Sequence, residues 1–209
     1  MCRVDYMISL QHKVIFIHIP KCAGQSIEET FLNDIGLDWE NSRYLFGCFK
    51  KPPEWNNLLP ERLAHLTAKE VVDFNFLPFK QFQEFYKFAV VRDPIDRLIS
   101  TWKYLSPEQE FNKWLIGTAT PFHEEKNYFF KDQAEFIFDE NAVLLIDEII
   151  PFAKVHLKSQ RFMQYLFGKM PLSHRNASNK NSPNITSSSI AHIKKLHMRD
   201  YDLLNKYFV

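Results

Sequence analysis

Glycine is scarce in this chain of 209 residues: there are 5 in all, so a glycine set between an apolar run and a helix-like stripe is a placed residue rather than background. Gly24 is such a residue. Cysteine is scarcer still. Cys2, Cys22 and Cys48 are odd in number and lack CxxC or Cys/His spacing, which argues against a disulfide framework and against a structural zinc site. An excess of one charge is missing too, because 26 Lys and Arg stand against 25 Asp and Glu. That balance gives no broad surface for nucleic acid, so any anion site has to be local. No apolar stretch near the N-terminus approaches the roughly 20 residues that span a bilayer. The longest, residues 14–19, is interrupted by His18. These absences predict a soluble, cytoplasmic chain with no signal peptide or membrane anchor. Its 45% hydrophobic and 15% aromatic residues suffice for the core of one domain over residues 1–209.

Two apolar runs have the look of strands buried on both faces, as in a parallel sheet: residues 13–19 (KVIFIHI) and 85–91 (FYKFAVV). Each leads into a helix. After the turn PKCAGQ, Ile27, Phe31 and Ile35 recur every four residues, and after RDP the residues Ile95, Leu98, Ile99 and Trp102 form a stripe. Asp93 is placed to cap the second helix and Pro94 to open it. Strand, turn, helix is the opening unit of an α/β fold. Thr67 and Glu70 form a capping box ahead of a short helix, and Ser106 with Gln109 suggests another that buries Phe111, Trp114 and Leu115. A further strand is expected over 142–150, a helix over 155–167, and a closing helix carrying Ile190, Ile193, Leu196, Tyr201 and Leu204. Residues 36–66 read as an irregular connection, and 172–189, rich in Ser and Asn, as an exposed loop or one ordered by ligand.

The strongest chemical signal is residues 18–26, HIPKCAGQS, which set a lysine and a small-residue turn between a buried strand and a helix start. Successive amides of Ala23, Gly24, Gln25 and Ser26 can point at phosphate or sulfate oxygens, aided by the positive helix end, and Gly24 allows close approach. A nucleotide triphosphatase loop reads GxxxxGK[ST], with the lysine after the second glycine. Here Lys21 precedes Gly24, so a kinase or ATPase using magnesium is the weaker reading. The second signal is residues 88–100, FAVVRDPIDRLIS. Arg92 leaves a strand end, where ligands of open α/β sheets collect, and Ser100 follows on the next helix. A guanidinium fork and a hydroxyl suit a second phosphate. Arg97, beside Asp93 and Asp96, reads as a member of surface ion pairs.

At these two stretches the chain resembles the PAPS-dependent carbohydrate sulfotransferases, family 2, the group related to heparan and chondroitin sulfotransferases. IPKCAGQSI resembles the family's 5'-phosphosulfate loop and VVRDPIDRLIS its 3'-phosphate motif, in the family's order and at about its spacing. Weaker likeness continues through FIFDENAVLLIDEIIPF, HRNAS and DYDLLNKYF. One position departs: where the family often has an acidic residue after a PF-like pair, Ala153 follows Phe152.

The resemblance implies a P-loop-like, three-layer α/β fold with a parallel sheet flanked by helices. It implies transfer of a sulfuryl group from PAPS (3'-phosphoadenosine 5'-phosphosulfate), as co-substrate and without a metal, to an acceptor hydroxyl, as on a carbohydrate. By the same likeness Lys21 offsets charge on the leaving nucleotide, Cys22 to Ser26 cradle the phosphosulfate, and Arg92 and Ser100 hold the 3'-phosphate. Asn176 and Ser178 lie where further nucleotide contacts fall. His65, between the two motifs, is the candidate base, with Glu61 and Glu70 as substitutes. A binding module without turnover is the alternative. Cys22 as a nucleophile, activated by Lys21 and a helix start, is a further reading that no Cys/His/Asn arrangement supports. Trp39, Tyr44 and Trp55 are candidates to stack on sugar faces.

Overall fold

The computed structural model describes residues 8–34, 36, 63–125, 127–155 and 182–208. Its centre is a four-stranded sheet in the order β1 (Ile8–Ser9), β2 (Val14–Ile17), β3 (Tyr86–Val91) and β4 (Glu148–Pro151). The strands β2, β3 and β4 run parallel, and β1 is added antiparallel to β2. The sheet is therefore mixed: the expected parallel part is present, and the short first strand is an addition the sequence did not announce. All of VIFI in β2 is buried, and β3 is buried from Lys87 to Val91. Such continuous burial is what a parallel strand covered on both faces requires. Phe16 and Phe88 are register partners and their rings stack at 5.1 Å.

Helices flank this sheet. The chain passes from β2 into α1 (Gly24–Asp34), which buries Ile27 and Phe31. Thr67 and Glu70 close the expected capping box on α2 (Ala68–Asp73), and α3 (Phe79–Glu84) leads into β3. Beyond β3, Asp93 accepts from the amides of Ile95 and Asp96 and Pro94 opens α4 (Pro94–Leu105), as predicted. Then α5 (Phe111–Trp114) runs through a π-turn at Leu115–Ala119 into α6 (Thr120–Glu124), and α7 (Ala134–Ile137) precedes β4. Two helices close the described chain, α8 (Ser187–Leu196) and α9 (Met198–Leu204). One apolar cluster surrounds the sheet with α1, α2 and α7; a second joins Leu98 to Phe111, Trp114, Leu115, Phe130 and Ile193.

Four local expectations are corrected. The strand expected over 142–150 is only Glu148–Pro151, because Asp139 accepts from the amides of Asn141 and Val143 and holds a turn there. The helix expected from Ser106 begins at Phe111, since Glu110 and not Ser106 caps its first amides. Ser106 instead ends α4. Residues 187–189 belong to the first turn of α8, capped by Thr186, and the closing helix breaks in two at His197, which is 1% exposed. The expectations for residues 37–62 and 156–181 lie outside the described residues. No described helix is long and apolar enough to cross a membrane.

Candidate functional site

Because Ile17 pairs with Ala89 in parallel register, the segments that leave β2 and β3 emerge on the same edge of the sheet. That edge, outside the carboxyl ends of parallel strands, is where α/β folds bind ligands. Lys21 leaves from one strand and Arg92 from the next.

The turn from β2 into α1 is strained. Lys21 and Ala23 have φ of 64° and 62°, left-handed backbone that costs a non-glycine residue about 1–2 kcal/mol. Strain of this kind collects at functional loops. Within the turn, the amides of Ser26 and Ile27 both donate to the Ala23 carbonyl and so close the first turn of α1. The amides of Cys22, Ala23 and Gly24 have no hydrogen-bond partner among the described residues. Gly24 itself is required for a reason the sequence did not suggest. A β-carbon there would lie 1.7 Å from Nε2 of His18, whose buried ring fills that space. Oε1 of Glu28 lies 2.9 Å from Nδ1 of His18 but off the hydrogen-bonding direction.

The Lys21 ammonium sits 4.1 Å above the ring of Tyr104. Burial lowers the Lys21 pKa from its ordinary value, and the nearby Arg92 guanidinium lowers it further. The two cations therefore share one neighbourhood. Arg92 lies over the Phe152 ring, 4.3 Å from Cζ to centroid, and its Nε is buried with no hydrogen-bond acceptor among the described residues. Like-charged groups held together, with an unmatched donor and unmatched amides beside them, make a place for a polyanion. Ser100 is half-buried on α4, one turn before Tyr104 and hence on the helix face turned to Lys21.

His65 is 6% exposed, in a single helical turn at Leu63–His65. Its Nδ1 lies 3.1 Å from the His18 carbonyl oxygen. A carbonyl only accepts, so in this contact Nδ1 donates. Aromatic rings connect it with the lysine: Tyr104 to Phe129 at 5.9 Å, and Phe129 to His65 at 6.1 Å. Glu70 is engaged in its capping box, with Oε2 accepting from the Thr67 amide at 2.7 Å. Glu61, Asn176, Ser178, Trp39, Tyr44 and Trp55 lie outside the described residues.

The nucleophilic reading of Cys22 is corrected. The side chain is fully buried, its thiol lies 3.4 Å from Oε1 of Gln133, and burial pushes its pKa up to about 11 against the pull of the Arg97 and Arg92 guanidiniums. It is a thiol at neutral pH. Arg97 is corrected as well: it is 2% exposed, not a surface ion-pair member, and donates to the carbonyls of Pro20, Lys131 and Phe129 at 3.1, 2.9 and 3.1 Å. It ties the segment before Lys21 to that after α6. The signal was present, since Pro94, Arg97, Leu98 and Thr101 are buried on one stripe of α4.

Three more groups carried no signal. Gln133, fully buried, joins Cys22, Arg92 and Asp200. Phe152 and Tyr104 serve as platforms for the two cations. Next to Gln133, Oδ1 of Asp132 accepts from Nδ1 of His197 at 2.6 Å and from Nε2 of His123 at 3.2 Å. Burial alone would raise the Asp132 carboxyl, but these two imidazoles outweigh it and hold it below the usual carboxylate range. One donor atom from each of the three residues falls within 4.8 Å of the others, and the distances to Asp132 are those of hydrogen bonds.

Lys21 and Arg92 thus leave neighbouring parallel strands at one edge of a mixed α/β sheet. The sulfotransferase family model matches residues 4–136, a span that holds β1 to α6, the Lys21 turn and Arg92, and the chain belongs to that family. No curated protein and no solved structure matches the chain significantly.

Proposed function

We propose that the protein moves a sulfuryl group from PAPS to an acceptor hydroxyl on a carbohydrate. The observation that carries the reading is the nearness of the Lys21 and Arg92 charges on the strand-end edge, with the Cys22, Ala23 and Gly24 amides beside them. A nucleotide bearing anionic groups at its 5' and 3' positions needs two such grips. In this reading Lys21 and the turn hold the phosphosulfate, while Arg92, steadied on Phe152, and Ser100 hold the 3'-phosphate. The acceptor oxygen attacks sulfur as the bond from sulfur to the bridging oxygen breaks. Lys21 offsets the charge left on 3'-phosphoadenosine 5'-phosphate, and the acceptor's proton passes to His65.

Titration with 3'-phosphoadenosine 5'-phosphate tests the donor half. Binding that Lys21→Ala and Arg92→Ala each weaken is expected, and no binding at millimolar nucleotide rejects the reading. Radiolabelled PAPS offered with a mixed panel of glycans, lipids and tyrosine peptides tests the acceptor half. Label on a glycan, lost in His65→Ala, is the expected outcome; nucleotide affinity without transfer to any acceptor leaves a binding module instead.

A further inference from the structure

The Gln133 carboxamide uses every hydrogen-bonding position it has. Oε1 accepts from the Arg92 amide at 2.9 Å and takes the Cys22 thiol at 3.4 Å, while Nε2 donates to the Arg92 carbonyl at 2.8 Å and to Oδ2 of Asp200 at 3.0 Å. The orientation of the amide is dictated by chemistry, because the Arg92 carbonyl can face only the NH2 group and the Arg92 amide only the oxygen. By pairing with both the N–H and the C=O of Arg92, Gln133 acts as a strand neighbour one residue past the end of β3. It thereby sets the backbone from which the Arg92 side chain departs. Its contact with Cys22 reaches between Lys21 and Ala23, the two left-handed residues of the turn. From behind, Asp200 on α9 also accepts from the Ala134 amide at 2.8 Å, so the amide is braced against a fully buried helix position.

We propose that Gln133 is a positioning residue that sets the separation between the Lys21 turn and Arg92, and so matches the site to a nucleotide charged at both ends. The proposal rests on the donor reading above. It makes a distinction that a general loss of stability does not: a ligand gripped at both ends depends on the spacing of the grips, and a ligand gripped at one end does not.

The experiment compares binding of 3'-phosphoadenosine 5'-phosphate and of 5'-AMP by calorimetry, in the full chain and in Gln133→Met and Gln133→Glu, with thermal melting alongside. A loss of about tenfold for the doubly charged nucleotide is expected, from one or two buried hydrogen bonds, with 5'-AMP affinity changed by less than about twofold. Asp200→Asn keeps an acceptor for Nε2 and serves where a Gln133 variant fails to fold; a smaller loss with the same selectivity is expected. Equal losses for both nucleotides, or no loss in any of the three variants, would overturn the proposal while Lys21→Ala and Arg92→Ala still weaken binding. If the unaltered protein does not prefer the doubly charged nucleotide, the donor reading falls first and takes this inference with it.

Discussion

The imidazole of His18 occupies the space that a side chain at position 24 would need, with Nε2 only 1.7 Å from where a β-carbon would stand. His18 cannot easily yield, because its ring stacks on Phe16 at 5.5 Å and lies 4.4 Å from the His65 ring. Gly24→Ala is therefore expected to lower stability by about 1–3 kcal/mol, the cost of overpacking. Adding His18→Ala should recover much of that loss in urea unfolding. Additive losses in the double variant would show that the two positions do not compete for the same space.

Arg92 and Arg97, five residues apart, should fail in opposite ways. Arg97→Ala strips three carbonyls of their donor inside the protein and is expected to cost on the order of 3 kcal/mol of stability. Arg92→Ala removes a buried Nε that has no acceptor among the described residues, so its melting temperature should stay near that of the parent while nucleotide affinity falls. Circular dichroism melts set against calorimetric titrations separate the two outcomes. A reversal of the pattern would exchange the roles assigned to these arginines.

The pH dependence of nucleotide binding follows from Lys21. Burial and then Arg92 lower its pKa, and an anionic ligand favours its charged form. Affinity should be highest below that lowered pKa and decline as pH rises through it, at a pH under the ~10.4 of an unperturbed lysine. Titrations of 3'-phosphoadenosine 5'-phosphate across alkaline pH check this, and Lys21→Arg should remove the decline. A profile flat up to the ordinary lysine range would contradict it.

Cys22 should resist alkylation. A fully buried thiol with its pKa raised to about 11 is protonated at pH 8 and out of reach. Iodoacetamide followed by peptide mass mapping is expected to leave Cys22 unlabelled in the folded chain and to label it in urea. Ready labelling under native conditions would mean that the turn opens.

How much of this was legible in the sequence depends on range. The runs around VIFI and FAVV, the Asp93–Pro94 start of α4 and the Thr67–Glu70 box are set by nearest neighbours, and all appear in place. The motifs put Lys21 and Arg92 each just past a strand, and the parallel pairing of β2 with β3, which the motifs do not specify, sets those two strand ends side by side. Gln133 was silent because its four contacts join residues 41 to 111 positions away, and nothing beside it in DQAEF marks an amide as a crosslink. Arg97 was misread for a different reason: a guanidinium near two acids suggests surface pairing, yet carbonyl oxygens from two distant segments satisfy it in the interior. Charge alone does not tell a solvated cation from a buried one.

The two residues of β1, set against Val14 and Ile15, do more than lengthen the sheet. Without them the outer side of β2 would, among the described residues, offer a bare row of amides and carbonyls along a strand with no charge and no proline, the template on which a second molecule adds its own strand. Ile8 and Ser9 occupy those bonding positions first. The short hairpin thus acts as a selvedge, and deleting Ile8 and Ser9 is expected to raise self-association, read by size-exclusion chromatography with light scattering.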